Sequence, residues 1–403
     1  MDLEVPGSIP GGGTILDFPE ELLERVRADT PNCARLTCLD NAGMSLTPQP
    51  VLNTVFAHLA REQRLGGYRA AHAVRKRLES GYASLAAFVG GRASEIAFVM
   101  NATRAWDLAL ASLELGEGDR VIAHASEYVS NRFALARLAR RGVEVDWAGS
   151  RPDGTVDPDS VAALIRSETR LVCITHVPST RGIVNPAGEI GRLARAAGVP
   201  YLLDACQSAG QIPLDVEALG CDMLAATGRK FLRGPRGTGF LWVREAMLDK
   251  LDPPFPDYTS AVPDGRDGYV WVAGARRFET FEHPVAARLG FIRAVEYALE
   301  LGLEAIADRV AELARHLRET LREIGMEGVE TSEPVSGIVT FHHPRLDPRE
   351  ALAALAERDI VVSVSARHGR EPRRVLRASV HYYNTSTEID RLAVALGELV
   401  TAH

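Results

Sequence analysis

Residues 201–230, YLLDACQSAG QIPLDVEALG CDMLAATGRK, decide the fold of this chain. They contain two apolar runs, Tyr201–Asp204 and Met223–Ala226, which are bounded by polar turns. Continuous rather than alternating apolar runs are typical of strands that are covered on both faces of a parallel sheet. The first run ends on the acid Asp204 and Lys230 follows the second. Both side chains are therefore expected near the ligand-binding edge of an α/β fold.

The same pattern extends towards both ends of the chain. Five further apolar runs occur at Ile96–Met100, Arg120–Ala123, Val143–Trp147, Leu171–Thr175 and Gly239–Val243. Helical periodicity lies between many of them, as at Ser130–Arg141, Pro158–Ser167 and Ala187–Ala197. This alternation predicts an α/β fold with a mostly parallel, doubly wound sheet of seven strands.

The pattern changes at about Pro284, where longer helices and separated strands begin. The predicted elements are Ala286–Leu301, Leu303–Glu323, Gly337–His342, Pro348–Glu357, Ile360–Ser365, Val375–Ser379 and a final helix from Thr387. We therefore predict an N-terminal extension over residues 1–35, a large domain over 36–283 and a smaller C-terminal α+β domain over 284–403. The Pro-rich stretch Asp252–Asp264 is expected to be a loop or an interface arm.

The composition of the 403 residues is that of a globular protein, with 46% hydrophobic and 25% charged residues and a net charge of −7. The mildly acidic balance disfavours nucleic-acid binding, and no apolar run approaches the ~18 residues of a membrane span. The five cysteines are an odd number, and their spacing matches neither a disulfide framework nor a zinc site. We expect a cytoplasmic enzyme that binds no metal, no nucleic acid and no membrane.

Asp204 and Lys230 each have a functional and a structural interpretation. Asp204 could cap the following helix, or it could face a ligand from the end of its strand. Lys230 could be an ordinary solvated lysine, but it follows buried strand residues and lies between Arg229 and Arg233. Neighbouring cations and partial burial both lower the pKa of an amine, as a lysine that forms a Schiff base requires.

A third feature is the segment Asn101–Asp107, NATRAWD, which follows the run Ile96–Met100 and opens a helical pattern. Small residues at such a turn let backbone N–H groups approach a phosphate at the N-terminus of the helix. The structural alternative is that Asn101 only caps the helix. Together, and in this order along the chain, the three features indicate a cofactor site more strongly than any one of them does.

This combination resembles the class V aminotransferase superfamily, which includes the cysteine desulfurases, over about residues 36–400. Members of that superfamily are fold-type I enzymes that use pyridoxal 5'-phosphate. The resemblance implies that Lys230 binds the cofactor covalently. It also implies that Asp204 pairs with the pyridinium nitrogen, so that the ring can accept electrons.

Further cofactor contacts follow from the same resemblance. Gln207 would hydrogen-bond the phenolic oxygen of the cofactor, Tyr128 would stack on the ring and Ser179 would lie beside it. The phosphate would be bound by Ala102, Thr103, Thr227 and Arg229. Arg229 replaces the histidine that is commoner before the lysine, but it is still a cationic phosphate donor.

The resemblance also implies contacts to substrate and to a partner subunit. Arg377 would grip the carboxylate of an amino acid, for which its planar guanidinium is suited. Tyr68 and His381 are the side chains that we expect to influence which reaction follows. Members of the family form their active sites across a homodimer, so Gly274–Arg277 would contact the cofactor phosphate of the partner.

Two observations bear on the reaction. Cysteine desulfurases take up sulfur on a loop cysteine of the small domain, but no cysteine follows Cys221 here and the matching segment, residues 363–369, has none. The segments Gly66–Ala71 and Arg229–Gly237 resemble the branch that includes hercynylcysteine sulfoxide lyase, which is also similar to the isopenicillin N epimerases. We therefore expect a C–S lyase that converts a cysteine-derived substrate to pyruvate and ammonia by β-elimination.

Other functions remain open from the sequence. The family also includes racemases, epimerases and aminotransferases, and a catalytically silent protein that binds the cofactor is a more remote alternative. A nicotinamide-dependent enzyme is disfavoured because no predicted strand is followed by Gly-x-Gly-x-x-Gly. Arg367, Arg370 and Arg373 could favour an acidic substrate, or they could be solvated surface charges.

Overall fold

A computed structural model of the chain describes residues 18–367 and 373–402. Its strands are β1 Thr37–Cys38, β2 Ile96–Val99, β3 Arg120–His124, β4 Glu144–Ala148, β5 Thr169–Thr175, β6 Tyr201–Asp204, β7 Met223–Thr227, β8 Gly239–Val243, β9 Ala261–Pro263, β10 Tyr269–Trp271, β11 Ile338–Phe341, β12 Ile360–Val361, β13 Ser363–Arg367 and β14 Arg373–Ser379. Each of the seven strands predicted for the large domain is present.

Thirteen α-helices are described between and around these strands. They are α1 Glu20–Ala28, α2 Gln49–Leu65, α3 Gly67–Ala73, α4 Arg75–Val89, α5 Ala102–Ala111, α6 Val129–Ala139, α7 Pro158–Leu164, α8 Ala187–Ala196, α9 Val216–Leu219, α10 Val285–Leu301, α11 Leu303–Glu323, α12 Pro348–Ala356 and α13 Ser386–Ala402. In the described part of the chain, no helix is both long and apolar enough to cross a membrane.

The central sheet has seven strands in the order β2-β8-β7-β6-β5-β3-β4. Only β8 runs antiparallel to its neighbours within it. Strands β5, β6 and β7 are parallel, with Thr175 beside Asp204 and Asp204 beside Ala225. Their carboxyl ends therefore meet at one edge of the sheet, which is where the sequence predicts the cofactor. The predicted α/β fold class is confirmed.

The C-terminal residues form a second, antiparallel sheet in the order β11-β14-β13. The predicted strand Ile360–Ser365 is divided, because β12 pairs with β1 whereas β13 pairs with β14. The chain passes from one pairing to the other at the buried residue Val362. The domain boundary between residues 283 and 284 stays a prediction, since α10 packs against α2 and α4 of the preceding segment.

The two segments of uncertain role are partly described. Residues 1–17 of the predicted extension lie outside the described residues. Helix α1 contacts the C-terminal part of the chain through Arg27, which pairs with Glu388 and donates to the Tyr383 carbonyl. The Pro-rich stretch leads into a short hairpin in which β9 pairs with β10.

Close backbone packing against Phe231, the residue after Lys230, requires a glycine at position 210. Its φ is +95°, and a Cβ there would lie 2.4 Å from the carbonyl carbon of Phe231. Gly198 also has a positive φ, +67°, but a Cβ there would meet nothing within 4 Å. The two glycines therefore share a backbone conformation and differ in the space around it.

We expect Gly210→Ala to lower the free energy of unfolding by at least about 3 kcal/mol, through backbone strain and overpacking together. Gly198→Ala is the matched control and should cost about 1 kcal/mol, because only the left-handed conformation is penalised. Urea unfolding measures both. Equal losses in the two variants would show that the contact with Phe231 does not restrain the turn.

Candidate active site

A cavity of about 410 Å³ opens at the carboxyl ends of the parallel strands. All nine residues predicted to contact the cofactor line it: Ala102, Thr103, Tyr128, Ser179, Asp204, Gln207, Thr227, Arg229 and Lys230. The acid and the amine are deeply placed, because Asp204 is 4% and Lys230 is 6% exposed. The structure therefore brings together groups that are up to 128 positions apart in the sequence, counted from Ala102 to Lys230.

Asp204 is held rigidly at the end of β6. Its Oδ1 accepts the backbone N–H of Cys206 at 2.9 Å and its Oδ2 accepts the Asn131 amide at 2.9 Å. Burial raises the pKa of this carboxyl, whereas the two hydrogen bonds and the nearby Lys230 amine oppose the rise. Such a carboxyl is stabilised in its charged form by a cation placed in the cavity. Residues 206–208 form a turn, and the next helix, α9, is capped by Asp215, so Asp204 does not cap a helix.

Lys230 is placed by a tight turn after β7. The N–H of Arg233 donates to the Lys230 carbonyl at 2.9 Å, and Arg233 has a φ of +58°. The Arg233 guanidinium is fully buried and donates to the Leu46 carbonyl and to the Tyr382 hydroxyl. The Cys206 thiol lies beside the Lys230 amine, and burial raises the pKa of that thiol while the amine opposes the rise. Arg233 therefore stabilises the turn from the protein interior and does not face the cavity with Lys230.

The first turn of α5 forms the anion-binding end of the cavity. Asn101 Oδ1 caps the helix by accepting the Arg104 N–H at 2.9 Å. The N–H groups of Ala102 and Thr103 have no partner within the helix, as is general for a first turn. Thr227 and Arg229 complete this end, with 3.4 Å between Arg229 Nη1 and Thr227 Oγ1. Backbone N–H groups, hydroxyls and a guanidinium are together suited to a phosphate.

Gln207 lies between the cofactor cavity and the N-terminal segment. Its Nε2 donates to the Ala42 carbonyl at 3.1 Å, while its buried Oε1 has no hydrogen-bond partner. An unpaired buried amide atom next to a cavity is expected where a ligand supplies the missing partner. Tyr128 stands on the other side of the cavity, where its partly exposed ring precedes α6.

The predicted substrate residues are not among those that line the cavity. Arg377 lies at its border, where Nη1 donates to the Ser179 carbonyl and Nη2 pairs with Asp40, both at 2.8 Å. Tyr68 is 82% exposed on α3. His381 is fully buried, and its Nε2 lies 2.8 Å from the Phe231 carbonyl oxygen. His381 packs behind the lysine turn, against Phe231, and its expected influence on the reaction stays a prediction.

Two further predictions concern groups outside the cavity. Arg277, within the segment Gly274–Arg277, lines a neighbouring cavity of about 390 Å³ that shares Met100 and Gly237 with the first. The side chains of Arg367, Arg370 and Arg373 lie outside the described residues.

Several residues of the site were not anticipated from the sequence. Glu127 and Asn131 bond to each other behind Asp204, and Asp40 pairs with Arg377. Glu127 and Asn131 are four positions apart around the start of α6, and this spacing could have indicated that their side chains meet. No sequence pattern indicates the pairing of Asp40, because Arg377 is 337 positions away.

A family model matches most of the chain. Residues 37–392 match the model described as aminotransferase class-V. The chain belongs to the class V aminotransferase family. A curated relative from Methanothermobacter thermautotrophicus, named a probable cysteine desulfurase, is 30% identical over 390 residues, which cover 93% of this chain and 98% of the relative.

Solved structures of class V relatives have the same fold. The apo structure of a cysteine desulfurase from Thermococcus onnurineus superimposes with a TM-score of 0.86 at 26% identity, over 94% of this chain and 98% of the other. A cystine C–S lyase in complex with cysteine persulfide gives a TM-score of 0.83 at 24% identity, over 92% and 99%. Because the C–S lyase is only 24% identical, its similarity to this chain shows a shared fold and does not by itself show a shared function.

Proposed function

We propose that this class V chain is a pyridoxal-phosphate-dependent C–S lyase that acts on a cysteine-derived amino acid. The observation that carries the proposal is the placement of buried Lys230 and Asp204 in one cavity, beside the open first turn of α5. The names of the relatives support it, since they are a probable cysteine desulfurase and a cystine C–S lyase. Residues 36–283 would carry the cofactor, and residues 284–403 would supply Arg377.

The cavity fits this cofactor on its own chemistry. It offers an amine for a covalent bond, a carboxylate for the ring nitrogen, a phosphate site at the start of α5 and the unpaired Gln207 Oε1. The Gln207 amide is oriented by its Nε2, which donates to the Ala42 carbonyl, so the atom left for a ligand is the acceptor Oε1. Oε1 would accept a hydrogen bond from a hydroxyl of the ligand. Pyridoxal phosphate supplies an electron sink for bond breaking at Cα and Cβ of an amino acid.

The residues of the chain would divide the remaining work. Lys230 would hold the cofactor through its amine, and the same amine would serve as the base that removes the α-proton of the substrate. Asp204 keeps a proton on the ring nitrogen, while Ala102, Thr103 and Arg229 hold the phosphate. Arg377 receives the substrate carboxylate, and Asp40 keeps its guanidinium in place at the border of the cavity.

β-Elimination balances with these groups. The α-proton passes to the Lys230 amine, the Cβ–S bond breaks, and the sulfur group leaves with the electron pair of that bond. The 2-aminoacrylate that remains takes up water to give pyruvate and ammonia. Storage of sulfur on a small-domain thiol is not part of the proposal, because the last cysteine of the sequence is Cys221.

We also propose that the enzyme is a cytoplasmic homodimer with shared active sites. The segment over residues 252–283 exposes the apolar side chains of Phe255, Tyr258, Val262, Tyr269, Val270 and Phe281. Contiguous exposed apolar groups mark interaction surfaces, and the neighbouring cavity connects this segment to the cofactor site. A second copy of the chain would cover the segment. A reducing compartment is supported by five cysteines that are all unpaired.

Borohydride reduction tests the covalent role of Lys230. The chain has three lysines, Lys76, Lys230 and Lys250, and only Lys230 among them is buried. After addition of pyridoxal phosphate and borohydride, peptide mass spectrometry should find the label on Lys230. Lys230→Ala should lose the visible absorbance band, whereas Lys250→Ala should keep it. Label on Lys76 or Lys250 in its place would contradict the assignment.

An end-point assay tests the reaction. With cystine or a cysteine sulfoxide conjugate and no keto acid, the enzyme should release pyruvate and ammonia. Asp204→Asn should lower kcat by a factor on the order of 10²–10³, because the developing charge loses its electrostatic support. If no pyruvate forms but deuterium from solvent enters at Cα, the chain is a racemase or an aminotransferase.

Sedimentation tests the dimer. Val270→Glu places a charge in the proposed interface, and we expect it to weaken association at least tenfold. Val394→Glu is the matched control, because Val394 is 63% and Val270 is 53% exposed but Val394 lies on α13. A Val270→Glu protein that sediments as the wild type does would place the interface elsewhere.

A further inference from the structure

Glu127 is a second buried carboxyl that stands directly behind Asp204. One amide joins the two acids, because Asn131 Nδ2 donates to Glu127 Oε2 at 3.0 Å and to Asp204 Oδ2 at 2.9 Å. On its other side, Glu127 Oε1 accepts the Thr175 N–H, and Glu127 Oε2 lies 2.9 Å from Thr175 Oγ1, within hydrogen-bond distance. Glu127 is not among the residues that line the cavity, so it would act on the cofactor through Asp204.

Both carboxyls are buried and both bond to the same amide nitrogen, so two negative charges there would repel each other strongly. The free energy is therefore lower when only one of them is charged. Asp204 faces the cavity and is favoured in its charged form by Lys230 and by the N–H of Cys206. The titratable groups that face Glu127 are Asp204, the thiol of Cys173 and the phenol of Tyr201. None of these three is a cation. The negative charge of the pair is therefore more stable on Asp204.

The hydrogen bonds of Glu127 fit a neutral carboxylic acid. Its hydroxyl can donate to Thr175 Oγ1 and still accept from Asn131, while its carbonyl oxygen accepts the Thr175 N–H. A glutamine cannot satisfy the same partners, because turning its oxygen to Asn131 sets its NH₂ group against the Thr175 N–H. Burial and the charge of Asp204 raise the pKa of Glu127 to about 8, although its hydrogen bonds oppose the rise.

We infer that Glu127 is a neutral acid in the working enzyme and a positioning residue, which holds Asn131 against Asp204 so that Asp204 alone carries the negative charge of the pair. The inference rests on the proposed function, because that charge serves to keep a proton on the ring nitrogen of the cofactor. Glu127 thereby orients Asp204 without adding a second negative charge beneath the ring.

An infrared spectrum of the holoenzyme at pH 7 tests the inference. We expect the C=O stretching band of a protonated carboxylic acid that shifts when glutamate carboxyls carry ¹³C and does not shift with labelled aspartate. The band should be missing in Glu127→Gln. Glu330→Gln is the matched control, because Glu330 is also buried and also bonded to the N–H and hydroxyl of a threonine, Thr340. It should leave the band unchanged.

The pH dependence of the infrared band distinguishes a protonated Glu127 from a purely structural one. The band should disappear as the pH rises through about 8. The folded chain keeps a proton that an unfolded glutamate has lost, so Glu127 makes stability fall as the pH rises from about 4.5 to about 8. The stability of Glu127→Gln should fall less over this window than that of the wild type.

The outcomes separate this inference from the proposed function. No visible absorbance after addition of pyridoxal phosphate would refute the proposed function. Absorbance without a glutamic acid band at pH 7, or with a band that follows labelled aspartate, would overturn the inference alone. The labelling is done in the wild-type protein, so the result does not depend on whether Glu127→Gln folds.

Discussion

The structure depends on keeping an acid and an amine buried together at the ends of two adjacent parallel strands. Asp204 ends β6 and Lys230 follows β7, and each is less than a tenth exposed. Burial of an unpaired charge costs several kcal/mol, so such groups persist only with partners that stabilise them. In this chain Asn131 and the Cys206 N–H bond to the acid, and the Lys230 amine lies near both Asp204 and the Cys206 thiol.

The lysine turn is held from both ends of the chain. Arg233 donates to the Leu46 carbonyl and stacks on Tyr382 and Tyr383, with 4.4 Å from its guanidinium carbon to the centre of the Tyr383 ring. His381 reaches the carbonyl of Phe231 in the same turn. An N-terminal loop and the segment before α13 thus meet beneath Lys230. Substitutions in the loop that contains Leu46 or in the segment before α13 should therefore shift the position of the Lys230 amine.

Much of this arrangement could be predicted from the sequence, and the failures have physical reasons. The seven strands were predictable because continuous apolar runs mark strands buried on both faces. The nine residues expected at the cofactor came mainly from the family resemblance, and the structure shows that they line one cavity. The division of Ile360–Ser365 and the Asp40–Arg377 ion pair arise between distant segments, which leave no local pattern. The burial of His381 against the Phe231 carbonyl likewise depends on a contact between segments 150 positions apart, so its surroundings could not be predicted locally.

The central claim is that Asp204, carrying the negative charge of its buried pair, keeps the ring nitrogen of the bound cofactor protonated. Nitrogen NMR of the enzyme loaded with pyridoxal phosphate labelled with ¹⁵N in the ring measures this directly. We expect the chemical shift of a protonated ring nitrogen in the wild type and that of a neutral nitrogen in Asp204→Asn. A neutral nitrogen in the wild type would contradict the account.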